Sequence, residues 1–274
     1  MHSDEQPGRP GPESEQYPVQ PREPAAGRQP EPVARDAGTR AGILAPTIHP
    51  RAVVALAIVA AAAVLGLGLV VRLDPGIDMA IVIWANGLHP GWVGASTDAV
   101  YGFQRVPGAI GLLLGAGALA WWGTRLPRAV LTFVLTVAVT WLPITGIKEL
   151  VDRPRPDHSL LAQPFAAWPA DPSFPSGHTG FAVALAMGVW FLVRRTRARP
   201  IAAVLCVAYP ALIVCTVLIV GVHHPTDVLG SIVWSVAVAP AVRLGLVAAG
   251  DRLGSGDPSG SRGSGGSSRR SSTT

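Results

Sequence analysis

Apolar runs of fifteen to twenty-two residues alternate with short polar clusters along the middle of this chain, and both ends are polar. The runs are Ala52–Val71, Val106–Trp122, Ala129–Ile147, Thr179–Val193, Ile201–Val222 and Val228–Ala249. An α-helix rises 1.5 Å per residue, so about twenty apolar residues cross a hydrocarbon core of about 30 Å. The pattern therefore predicts six membrane spans. Pro143 is expected to bend the third, Pro210 to kink the fifth, and Pro240 falls late in the sixth. Gly111 and Gly115 allow close helix contact in the second. Residues 76–104 are mixed: Asp78–Leu88 reads as a short interfacial helix, with Trp84 and Trp92 at headgroup level. Asp78 and Asp98 read as solvated or capping groups.

The expected fold class is all-α: an integral membrane six-helix bundle with disordered polar tails. The boundaries are 1–42 for a Pro-rich tail, 43–250 for the bundle and 251–274 for a Gly/Ser/Arg-rich tail. Neither tail has the apolar periodicity needed to offset the entropy of ordering.

Composition sharpens this reading. Charged residues make up 14 % of the chain and mean hydropathy is +0.37, against about 25 % charged in soluble domains. The net charge of +5 would invite nucleic acid in a soluble protein, but here the arginines flank apolar runs and serve topology. Cys206 and Cys215 lie about two and a half turns apart in one run, too far for a disulfide.

With the N-terminus in the cytoplasm, six spans put the Arg125–Arg128 turn, the Arg194–Arg199 cluster and both tails on the cytoplasmic side. That satisfies the positive-inside rule. The same assignment sends Lys148–His178 and His223–Asp227 together to the extracytoplasmic face.

Those clusters hold the candidate chemistry. Lys148 is the only lysine, and Arg153 and Arg155 follow it. Basic groups on that face are not explained by topology. They suit either an anionic ligand, for which arginine offers a donor fork and lysine a mobile charge, or contact with lipid headgroups. Ser176 and Gly177 open the fourth span, where free N–H groups and a hydroxyl can hold an anion, and His178 can donate a proton. His223 precedes Asp227 by four residues, so the carboxylate can orient the ring for attack on phosphorus. His224 is a secondary candidate. His178, His223, His224 and Asp227 would also serve as metal ligands, but the neighbouring cations Lys148, Arg153 and Arg155 oppose a metal ion, and none is expected.

The three clusters resemble the signature motifs of the type 2 phosphatidic acid phosphatase superfamily. Lys148, six residues, then Arg155-Pro156 is similar to the first motif, Pro175-Ser176-Gly177-His178 to the second, and His223 with Asp227 to the second half of the third. The resemblance implies metal-independent, cofactor-free hydrolysis of a lipid phosphate or prenyl diphosphate through a phosphohistidine on His223. Asp227 would orient it and His178 would protonate the leaving group, while Lys148, Arg155, Ser176 and Gly177 bind phosphoryl oxygens. A prenyl diphosphate would tie the protein to cell-wall lipid carrier recycling, a glycerolipid phosphate to phospholipid metabolism. The third motif departs from the family: its Ser-Arg falls on Thr216-Val217. Arg153 or Arg105 is the candidate replacement for the lost charge. The alternative is a family member that binds or moves a phosphorylated lipid without hydrolysing it.

Overall fold

The computed structural model describes residues 42–255; the predicted tails, beyond their inner edges, lie outside the described residues. Eight helices carry the described chain: α1 Pro50–Leu73, α2 Met79–Asn86, α3 Trp92–Phe103, α4 Val106–Thr124, α5 Pro127–Val151, α6 Gly177–Val193, α7 Arg199–Ile219 and α8 Pro225–Ser255. The protein is an all-α, multi-pass membrane protein.

The predicted six-span bundle is not what forms. Among the described residues, five helices (α1, α4, α5, α7 and α8) are long and apolar enough to cross a membrane. The fourth apolar run becomes α6, with 17 residues. That length reaches about 26 Å, short of a hydrocarbon core of about 30 Å. Two local signals cut it short: Ser176 caps its start, its hydroxyl accepting from the Thr179 amide at 3.4 Å, and its last turn gives way to the Arg194–Thr196 turn. Much of α6 is buried, because it packs against α5, α7 and α8. The mixed region 76–104 forms two short helices, α2 and α3, rather than one.

Close approach to α6 is built into the sequence. A Cβ on Gly180 would meet Ile144 Cδ1 of α5 at 2.1 Å. From α8, the Ser231 hydroxyl donates to the Ser176 carbonyl at 2.8 Å and the Ser235 hydroxyl to the Gly180 carbonyl at 3.1 Å. Such small-residue contacts replace the hydrophobic driving force that lipid cannot supply. Thr132, Thr136 and Thr140, four residues apart on one face of α5, each donate to the carbonyl one turn back; buried hydroxyls are thereby satisfied. Pro143 lacks an amide hydrogen, and α5 is interrupted at Leu142 as expected. The Trp234 indole donates to the Thr140 carbonyl at the break.

Helices α5 to α8 alternate in direction. Their ends at Val151, Gly177, Ile219 and Pro225 therefore gather at one end of the bundle, joined by Ser176 N–H to the Asp227 carbonyl at 3.2 Å and Arg155 to the Val222 carbonyl at 2.7 Å. At the other end Arg128 pairs with Asp251 at 2.6 Å.

Candidate active site

The site grows from three chain breaks that meet at the first of these ends. Helix α5 stops at Asp152, which takes a left-handed conformation (φ 51°) and returns its amide to the Lys148 carbonyl. The chain then runs out through Arg153-Pro154-Arg155 and returns through Ser173, whose amide donates to the Arg153 carbonyl at 2.8 Å and whose hydroxyl donates to Pro154. Helix α7 ends in a turn at Gly221 (φ 80°) that delivers His223 to the start of α8. Asn86 of α2 holds this turn, its amide nitrogen donating to the carbonyls of Ile219 and Gln163.

Lys148, Arg155, Gly177 and His178 line one cleft of about 910 Å³, with Arg105 exposed on its wall. Trp141, Ile144 and Phe181 make an apolar side to the same cleft. The His178 ring stacks on Tyr101 with centroids 4.2 Å apart, and its Nε2 lies 3.3 Å from the Tyr101 carbonyl. His223 sits just behind the cleft, buried, with Nδ1 3.4 Å from Asp227 Oδ2 and Nε2 3.4 Å from Arg155 Nη1. A carboxylate only accepts and a guanidinium only donates. The ring between them therefore carries its proton on Nδ1 and presents the Nε2 lone pair towards Arg155. Burial, and next the Arg155 charge, push the His223 pKa down to about 3, against the Asp227 hydrogen bond that raises it.

Arg153 does not face the cleft. Its guanidinium is fully buried and donates to Asp227 at 2.7 Å, Thr226 at 2.6 Å and Asp78 at 2.8 Å. Asp78 in turn accepts from the Thr226 amide and hydroxyl at 2.8 and 2.7 Å. Burial raises the Asp78 pKa, but the Thr226 bonds and then Arg153 hold it below the usual carboxylate value. Asp78 is therefore a buried ion-pair partner rather than a solvated group. Asp98 pairs with His89 at 3.0 Å.

Ser176, His224 and Thr216 do not line the cleft. Ser176 is buried and spends its hydroxyl on the α6 cap. His224 is buried, its amide donating to Asp227 at 2.8 Å and its Nδ1 3.4 Å from the same oxygen. Thr216 is buried with its hydroxyl unpartnered, and Val217 packs in an apolar cluster with Tyr101, Ala182 and Val222. Of the two candidate replacements for the lost arginine, Arg105 lines the cleft and Arg153 does not. Among the described residues no group of three His, Cys, Asp or Glu side chains is placed to hold a metal ion.

Sequence reasoning missed Asp171. Its carboxylate joins Lys148 to Arg155: Oδ2 accepts from Lys148 Nζ, and Oδ1 from Arg155 Nη2 at 2.7 Å. Burial raises its pKa, but the Lys148 bond and the Lys148 and Arg155 charges hold it well below the carboxylate range. Nothing in the sequence sets it apart, since Glu149, Asp152 and Asp157 stand in the same connection.

The sequence profile described as PAP2 superfamily matches residues 129–249, which hold Lys148, Arg155, His178, His223 and Asp227. A solved structure, the first transmembrane PAP2 type phosphatidylglycerolphosphate phosphatase from Bacillus subtilis, superposes with a TM-score of 0.57 at 21 % identity, over 72 % of this chain and 96 % of that one. No curated protein matches the chain. The profile spans helices α5 to α8, and the chain has the membrane phosphatase-like fold of the PAP2 superfamily.

Proposed function

We propose that the protein hydrolyses a lipid phosphate or diphosphate at the extracytoplasmic face through a phosphohistidine, without a metal ion. One observation carries this reading: His223 is oriented by Asp227 at Nδ1 while its free Nε2 faces Arg155, a wall of the cleft shared with Lys148, Gly177 and His178. The phosphoryl oxygens take over the Lys148 and Arg155 donors from Asp171. His223 Nε2 then forms the N–P bond as the P–O bond to the lipid breaks, and His178 gives the leaving oxygen its proton. Asp227 balances the charge that builds on the ring. Water attacks the phosphohistidine in the second step, with His178 taking its proton, and the N–P bond breaks to release phosphate. The basic donors offset the charge on the transferring group.

The apolar wall of Trp141, Ile144 and Phe181 suits a lipid tail entering from the bilayer. The activity named for the similar Bacillus subtilis structure favours a glycerolipid phosphate over a prenyl diphosphate.

The test is phosphate release by detergent-purified protein from phosphatidylglycerol phosphate, phosphatidic acid and a prenyl diphosphate, with and without chelator. Wild-type turnover should survive chelation, and His223→Ala should lower it by at least about a thousandfold. Undiminished turnover in His223→Ala removes the nucleophile.

Val217 favours a second reading, in which the protein binds a phosphorylated lipid without turnover. Saturable binding with no phosphate release from any of these substrates would establish it.

A further inference from the structure

The end of the bundle opposite the cleft holds a cavity of about 600 Å³ between the start of α1, the α6–α7 turn and α8. Arg194, Arg195, Arg199 and Arg243 line it, and no carboxylate does. Among the described residues none of the four arginines is ion-paired.

Arginines at a helix end ordinarily serve topology, and such groups are solvated. Arg195 and Arg199 are exposed and fit that account. Arg243 does not. It lies inside α8, twelve residues before the helix ends, and is only 4 % exposed. Its guanidinium donates to the Ile43 carbonyl at 2.6 Å, the Ala45 carbonyl at 2.9 Å and the Thr47 hydroxyl at 2.5 Å, while its Nε has no partner. All of these acceptors are neutral. Arg194 likewise spends its donors on the Gly42 carbonyl. Both guanidinium groups lie over the Phe191 ring, at 5.8 and 5.3 Å from its centroid. A ring quadrupole offsets part of one charge; it does not neutralise two. Buried charges persist in proteins when they are paired, and here the partner must come from outside the described chain.

We infer that this cavity binds the phosphate headgroup of an anionic phospholipid of the adjoining leaflet. The buried Arg194 and Arg243 supply uncompensated charge, and the Arg195 and Arg199 side chains, which make no hydrogen bond among the described residues, supply the forks that take phosphate oxygens. Val53, in the first turn of α1, and Trp190 of α6 also line the cavity, so a headgroup there has apolar helix surface beside it for its acyl chains. The site is separate from the catalytic cleft and independent of the reaction proposed for it.

Thermal unfolding of the full-length protein in neutral detergent tests this, with phosphatidylglycerol, phosphatidylcholine or inorganic phosphate added. Phosphatidylglycerol should raise Tm by about 4 °C or more, and phosphatidylcholine should not. The shift should vanish in the Arg195→Gln/Arg199→Gln double variant, which changes only exposed side chains, and persist in Lys148→Gln, which alters the cleft. Three results would each overturn the inference: a phosphatidylglycerol shift that survives the double variant, one lost in Lys148→Gln, or an inorganic phosphate shift of the same size that depends on Arg195 and Arg199.

Discussion

Asp171 illustrates how a side chain outside any motif can set the behaviour of a site. Its carboxylate bridges Lys148 and Arg155, the two groups that a phosphoryl group needs. It is half exposed, so its hold is that of a partly solvated ion pair, worth about 1 kcal/mol. Inorganic phosphate competes with it for the same donors. Asp171→Asn should lower the inhibition constant of phosphate about fivefold; if Asp171 served only to position the two cations, the constant would rise instead. The buried His223 ring makes the protein sensitive to acid. Its imidazole titrates near 3 in the folded protein and near 6.5 when unfolded. The unfolded chain therefore binds the extra proton between those values, and stability falls as pH drops through that window. The free enzyme keeps its nucleophile neutral through the same range. The acid limb of kcat/KM, with the substrate's own titration divided out, should then lie below pH 5. A limb at the ordinary imidazole value would contradict the buried, Arg155-facing ring.

At the scale of elements, the sequence was legible wherever chemistry repeats locally. The apolar runs marked the long helices, Pro143 marked the break in α5, and the His223–Asp227 spacing placed the ring on its carboxylate. What depends on distant partners was not legible. Nothing near Asp78 signals that Arg153 and Thr226, about 75 and 150 positions further on, will bury it. A 15-residue apolar run read as a span because run length does not record how deeply neighbours enclose a helix. Arg153, seen beside Lys148 and Arg155, looked like a phosphate ligand. The fold turns it inward, where it ties the segment before α2 to the first turn of α8 and fixes Asp227 under His223. Arg153→Met leaves Asp78 and Asp227 without their buried cation, a loss of about 3–5 kcal/mol. It should appear as a lower unfolding temperature together with a reduced kcat. Arg153→Lys, which restores charge but not the fork, should recover part of the stability and less of the kcat.

At the scale of the whole molecule, the two ends of the bundle are chemically distinct. One gathers Lys148, Arg155, His178 and His223 around an apolar-walled cleft; the other gathers Arg128, Arg194–Arg199 and Arg243. The positive-inside rule counts arginines in short loops near span ends, so the second end should face the cytoplasm. The cleft end would then open outside, a placement that follows from the alternating directions of α5 to α8 rather than from a count of spans. Thiol labelling in intact cells decides this. Cys206 and Cys215, both free, are first replaced by Ala. Asp157→Cys then puts a thiol on an exposed position at the cleft end, and Arg197→Cys one at the arginine end. A membrane-impermeant maleimide should label the Asp157→Cys chain in intact cells, and the Arg197→Cys chain only after the membrane is permeabilised. The reverse pattern would put the cleft in the cytoplasm. Lys148 and Arg155 would then lie on the face that topology already makes basic, and an anionic ligand would no longer be needed to explain them.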